Sequence, residues 1–120
     1  ELHARPGLYL AGQMAGVEGY VESAALGGIA GRNAARAILG LERLDVPRET
    51  AHGALMTHLS DANPKHFQPM NVNFGLFPPL DEPLKRGRKK RPKREKNEAH
   101  AARALAAITA YVHQEEARPA

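Results

Sequence analysis

Three glycines spaced Gly12-x-x-x-Gly16-x-x-Gly19 separate a short apolar run, Gly7-Leu8-Tyr9-Leu10-Ala11, from an alanine-rich stretch that opens at Tyr20. Glycine lets the backbone bend where a Cβ would forbid it and lets a neighbour approach the main chain closely. A helix that starts directly after such a loop presents unpaired N–H groups and the positive end of its dipole, which favour a negatively charged or electron-accepting group. Binding of an anion or a cofactor is therefore the chemistry expected of this junction. The spacing is not that of the common dinucleotide fingerprint, and glycines alone specify no ligand. Tyr20 is the one aromatic residue of the loop, able to stack on a ligand or to anchor the helix start through its ring and hydroxyl. Glu18 and Glu22 flank the same junction, where a carboxylate either serves a ligand or answers the helix dipole.

A second chemical signal lies near the other end. The run Lys85-Arg86-Gly87-Arg88-Lys89-Lys90-Arg91-Pro92-Lys93-Arg94-Glu95-Lys96 places nine cations in twelve residues with no apolar face to bury. Residues 1–84 carry six Lys/Arg against nine Asp/Glu, whereas residues 85–120 carry eleven against four. A split of this kind points to a polyanionic partner met by one end of the molecule. No aromatic residue is interleaved, so contacts to a phosphate backbone fit better than base stacking. The six histidines are scattered, and His52 and His58 would not share a helical face, so no metal site is expected. With no cysteine in the chain there is no disulfide framework, thiolate metal site or cysteine nucleophile.

The elements that must position these groups follow from periodicity. Gly7 to Ala11 predicts a short buried strand, and Tyr20 to Leu39 a helix ended by Gly40. In that helix Gly27, Gly28 and Gly31 join Ala24, Ala25, Ala30, Ala34 and Ala35 in a small-residue surface suited to close packing. Pro47 with Arg48 and Glu49 predicts the first turn of a second helix, striped by Ala51, Leu55, Met56 and Leu59 and stopped at Asn63-Pro64. From His66 to Leu80 the sequence reads as an extended segment, with Met70, Val72, Phe74 and Leu76 on one face and Asn71 and Asn73 on the other. Ala101, Leu105, Ile108 and Val112 predict a closing helix from about Glu95 to Glu116. No run approaches the roughly 20 apolar residues needed to span a bilayer, so no membrane contact and a cytoplasmic setting are expected. With 120 residues and a first residue Glu1 rather than methionine, a single domain or a piece of a larger protein is expected.

The residues themselves carry a resemblance. Ala11-Gly12-Gln13, Gly16-Val17-Glu18-Gly19-Tyr20-Val21-Glu22-Ser23 and Gly31-x-Asn33-Ala34-Ala35 closely resemble the carboxy-terminal flavin-binding segment of the TrmFO family of folate-dependent tRNA uracil methyltransferases. The sister GidA or MnmG family shares the Ala-Gly-Gln opening and the Gly-Tyr but usually has Thr-Thr-Gly-Tyr-Glu-Glu in the middle. Two further stretches, "PRETAHGAL" and "FQPMNVNFGLFPPL", also look like signatures of the methyltransferase.

The resemblance implies an α/β fold: the carboxy-terminal piece of a Rossmann-like FAD-binding flavoprotein, itself mostly helical with one or two short strands. Residues 1–44 would complete the FAD-binding domain, 45–84 would supply a helix and extended segment of an insertion or substrate domain, 85–96 a basic linker and 97–120 a final helix. The implied activity is formation of 5-methyluridine in the tRNA T-loop, with methylenetetrahydrofolate as carbon donor, reduced FAD as reductant and NAD(P)H to regenerate it. A wobble-uridine modification flavoprotein of the GidA/MnmG type and a non-catalytic RNA-binding module are the alternatives. Gly12 and Gln13 would lie near the ribityl and phosphate part of FAD. Gly16, Val17, Glu18, Gly19 and Tyr20 would line the isoalloxazine edge, with Glu18, Glu22 or Tyr20 available to folate. Arg88, Lys89, Lys90, Arg91, Lys93 and Arg94 would contact tRNA. No catalytic residue falls in this chain, because the cysteines and the amino-terminal FAD motif would come from the missing part of the same protein.

Overall fold

The computed structural model describes residues 1–80 and 91–118, and it is mostly helical. Three α-helices follow in chain order: α1 (Tyr20–Ile38), α2 (Ala51–Asp61) and α3 (Lys93–Glu116). Short 3-10 turns occupy Gly12–Ala15 and Phe74–Leu76.

The first helix forms where its residues predict it. Leu39 caps it, Gly40 follows at φ +68°, and the N–H groups of Gly40 and Leu41 return to the carbonyls of Ala37 and Arg36 at 3.3 and 2.8 Å. This double closure over a left-handed glycine satisfies carbonyls that the helix end would otherwise orphan. Asn33 is buried, and its amide clasps the backbone of the outgoing chain, accepting from Leu44 N–H at 2.7 Å and donating to Leu44 O at 3.5 Å.

The second helix starts later than expected. Pro47 does not open it; instead Pro47 O accepts from both the N–H and the hydroxyl of Thr50, closing a turn ahead of the helix. Thr50 then caps α2 by accepting from Gly53 N–H at 3.0 Å. A Cβ at Gly53 would overlap the carbonyls of Pro47 and Val46, so this glycine is what lets the turn fold back onto the helix.

The strand expected over residues 7–11 is not formed. Leu8 to Ala11 is irregular, with an extended backbone at Ala11, and no ladder runs along it. A strand needs a partner to satisfy its backbone groups, and among the described residues the chain offers none. Two isolated bridges are present: Leu2 with Arg5, antiparallel, and Val17 with Met70, parallel.

Val17, Leu26 and Leu55 form the buried centre, with Ile29, Met56, Leu59, Val72 and Leu76 packed against it. Removing side chains of this size from water stabilises a fold by about 1.5–3 kcal/mol each. The segment 66–80 alternates through Met70 and Val72, then departs from the expected extended form. Asn73 accepts from Gly75 N–H at 2.9 Å and caps the 3-10 turn, so Phe74 no longer follows the alternation.

Helix α3 starts at Lys93 and covers only half of the expected stripe, Ala101 and Ile108. Leu105 is 68% and Val112 44% exposed, while His100 is buried and Ala104, Ile108, Tyr111 and Glu115 are partly buried. Polar groups anchor it near its middle and at its carboxy-terminal end. Arg103 donates to the carbonyls of Pro78 and Pro79, and Glu115 pairs with Arg118 at 3.0 Å and Arg36 at 3.9 Å. Arg118 also reaches Glu42 at 3.1 Å. Among the described residues no helix is long and apolar enough to cross a membrane.

Candidate functional site

Most of the loop glycines serve the protein's own packing. Gly12 adopts φ +70° and opens the 3-10 turn, with a virtual Cβ 3.6 Å from the Ser23 side chain. Gln13 is exposed on that turn, and its carbonyl accepts from Gly16 N–H at 3.0 Å. Gly16 adopts φ +89°, and a Cβ there would run into the ring of Phe67, which also stacks on His58 at 5.7 Å. The neighbour admitted by Gly16 is thus an aromatic side chain of this chain.

Val17 is fully buried and pairs with Met70. Met70 N–H donates to Gly16 O at 3.1 Å, and Glu18 N–H donates to Met70 O at 3.3 Å. The side chain of Glu18 points to solvent. Gly19 is the N-cap of α1 at φ −72°, a conformation open to any residue. Its missing Cβ matters for another reason: the Glu22 carboxylate folds over that position. The same carboxylate accepts from Val72 N–H at 3.2 Å.

What remains open is the start of α1. No side chain caps it, and among the described residues no hydrogen-bond acceptor meets the N–H groups of Tyr20 and Val21. Both residues are exposed, Tyr20 at 92% and Val21 at 80%. Tyr20 therefore does not anchor the helix by packing. Beside it an apolar groove of about 310 Å³ runs between α1 and α2, lined by Val21, Leu26, Leu55 and Val72 with Glu22 and His52 at its edges. The arrangement offers two free amides, an exposed aromatic ring and an apolar wall, suited to a flat or extended group with an electron-rich edge.

Sequence reasoning missed the part played by residues 67–72 in this site, because Phe67, Met70 and Val72 reach the loop only through the fold. The clustering of all three phenylalanines in 67–77 was the available signal. Asn73 spends its side chain on local backbone, donating to Asn71 O at 3.2 Å and accepting from Gly75 N–H at 2.9 Å, while Asn71 is exposed.

The basic candidates divide. Arg88, Lys89 and Lys90 lie outside the described residues. Arg91 precedes α3, and Lys93 and Arg94 sit in its first turn, where Arg94 pairs with Glu98 at 2.8 Å across the exposed helix surface. One turn on, His100 is enclosed by Phe74 and Phe77, each ring 5.8 Å away, with Arg103 at 3.4 Å from its Nδ1. Burial, followed by the charges of Arg103, Lys96 and Arg91, lowers its pKa below the usual imidazole value.

Comparison with known proteins adds to this geometry. Residues 1–42 match the family described as glucose inhibited division protein A, GIDA. The chain is 64% identical over 89 residues to the methylenetetrahydrofolate-tRNA-(uracil-5-)-methyltransferase TrmFO of Desulforudis audaxviator, covering 74% of this chain and 20% of that protein. Proteins of the same name match at 58% over 91 residues in Symbiobacterium thermophilum, covering 76% of this chain and 20% of that protein. In Dinoroseobacter shibae the identity is 61% over 93 residues, covering 75% of this chain and 21% of that protein. The chain spans about a fifth of the length of the curated relatives it matches.

Proposed function

Because this chain belongs to the TrmFO family, we propose that it is the carboxy-terminal part of a flavoprotein that methylates carbon 5 of a T-loop uridine in tRNA. Methylenetetrahydrofolate would supply the carbon, FAD the reducing equivalents and NAD(P)H their renewal, in the cytoplasm. Residues 1–44 would complete a Rossmann-like FAD-binding domain whose remainder, with the cysteines that attack the base, lies outside this chain.

The observation that carries the proposal is the identity of 55–64% to proteins named for this reaction, over about three quarters of the chain. The site is compatible with a flavin. The Tyr20 and Val21 amides have no acceptor of their own, and amides aimed where charge collects on an acceptor ring stabilise that charge. FAD, when bound, supplies the redox chemistry. The chain's own residues would orient it: Gly12 and Gln13 beside its ribityl and phosphate portion, and Gly19 and Tyr20 at the ring edge. Gly16 and Val17 would act from beneath, since Phe67 and Met70 already occupy their surroundings. Tyr20 and Glu18 both reach solvent at this edge and are the side chains open to folate. Arg91, Lys93 and Arg94, with Arg88, Lys89 and Lys90, would grip the tRNA backbone.

The test uses the full-length protein. It should carry a visible flavin absorption near one per chain and transfer carbon from methylenetetrahydrofolate to unmodified tRNA. A protein that stays colourless with excess FAD overturns the proposal, and tRNA binding without flavin would favour an RNA-binding module.

A further inference from the structure

A parallel β pair advances by evenly spaced rungs, in which each strand's N–H groups reach alternate carbonyls of the other. Two rungs join residues 16–18 to Met70: Met70 N–H to Gly16 O, and Glu18 N–H to Met70 O. The next donor in register is Val72 N–H, and the acceptor it would meet in a continued ladder is Glu18 O. The chain forfeits that rung by turning at Gly19 into α1. Val72 N–H goes instead to the Glu22 carboxylate, 50 residues away in sequence.

We propose that Glu22 is a positioning residue: its side chain replaces the missing rung, ends the pair and fixes the angle at which α1 departs, and with it the direction of the Tyr20 and Val21 amides. The inference rests on the flavin-binding function proposed above, and it adds how this junction is held and what charge it carries. Three features support it. The carboxylate is placed by α1 itself, three residues past the N-cap, where a negative group also suits the helix dipole. Gly19 leaves room for it, since a Cβ at that position would collide with both carboxylate oxygens. Val72 and Glu22 both border the groove beside the free amides, so a shift of either alters that wall. Sites depend on such supporting contacts, because amides that wander lose the preorganisation that makes them effective.

The experiment compares full-length wild type with Glu22→Gln, Glu22→Ala and Gly19→Ala, reading flavin affinity, flavin midpoint potential and hydrogen exchange at the Val72 amide. Glu22→Gln keeps an acceptor for Val72 but removes a negative charge from beside the acceptor ring. Its flavin affinity should hold within about threefold, while its potential rises by about a tenfold shift toward the reduced form, ~30 mV for a two-electron couple. Glu22→Ala should exchange the Val72 amide at least tenfold faster and bind flavin at least tenfold more weakly. Gly19→Ala retains the carboxylate but pushes it aside, and it should reproduce the losses of Glu22→Ala even if that variant fails to fold. Variants that match wild type in affinity and potential, however much their melting temperatures change, overturn the positioning role while leaving the flavin-binding function intact. A colourless wild type overturns both.

Discussion

His100 is an ionisable side chain with 1% exposure, held between two phenylalanine rings and next to a guanidinium. Burial first, then Arg103, Lys96 and Arg91, lowers its pKa. The unfolded chain takes up a proton near pH 6.5, and the folded chain resists it to lower pH. The stability this residue contributes is therefore present above about pH 6.5 and is lost as pH falls toward the depressed folded value. Unfolding midpoints in denaturant, measured between pH 7.5 and 5, should fall across that interval. The fall should be reduced in His100→Gln, which takes up no proton there. At this scale the sequence marks positions better than partners. The loop glycines are plain in the chain, and Gly12 and Gly16 do require positive φ. That the ring of Phe67 is what approaches Gly16 was not legible, because contacts between residues so far apart are set by the fold.

Helix boundaries were legible where a local signal decided them and displaced where two signals competed. Gly40 ends α1 as glycine after a helix should, whereas Pro47 and Thr50 both offer a start to α2. Thr50 prevails because its hydroxyl caps Gly53 N–H while also donating to Pro47 O, leaving the proline in the preceding turn. Thr50→Ala should accordingly cost about 0.5–2 kcal/mol, the range for losing an N-cap. Thr50→Ser should recover most of it, and a lower denaturant midpoint at unchanged slope would register the loss. The periodicity of α3 marks a helix but only half of the face it covers, Ala101 and Ile108. Leu105 and Val112 lie outward because the docking groups are His100, Arg103 and Glu115, polar residues that an apolar-stripe argument passes over. The strand over 7–11 fails for a related reason: propensity proposes a strand, but only a partner makes one.

Across the whole molecule, charge and attachment go together. The basic end rides on a helix fixed at two places, through Arg103 to the carbonyls of Pro78 and Pro79 and through Glu115 and Arg118 to Arg36 and Glu42. Lys93 and Arg94, the residues of the basic run in the first turn of this helix, are exposed. If they touch phosphates, Lys93→Gln with Arg94→Gln in the full-length protein should flatten the dependence of log affinity for tRNA on log salt by about 0.7–0.9 for each phosphate no longer neutralised. An unchanged slope would remove them from the interface. Polyanion binding could be argued from charge alone, but flavin, folate and the uridine target came from resemblance, since no spacing in the chain encodes them. The Glu22–Val72 hydrogen bond also bears on the order of assembly. It joins residues 50 apart and encloses both α1 and α2. Bringing such distant ends together costs roughly 3.5 kcal/mol of chain entropy beyond a constant. Local helix formation bears none of that cost, so the two helices should condense first and the junction at the start of α1 should be among the last features to set.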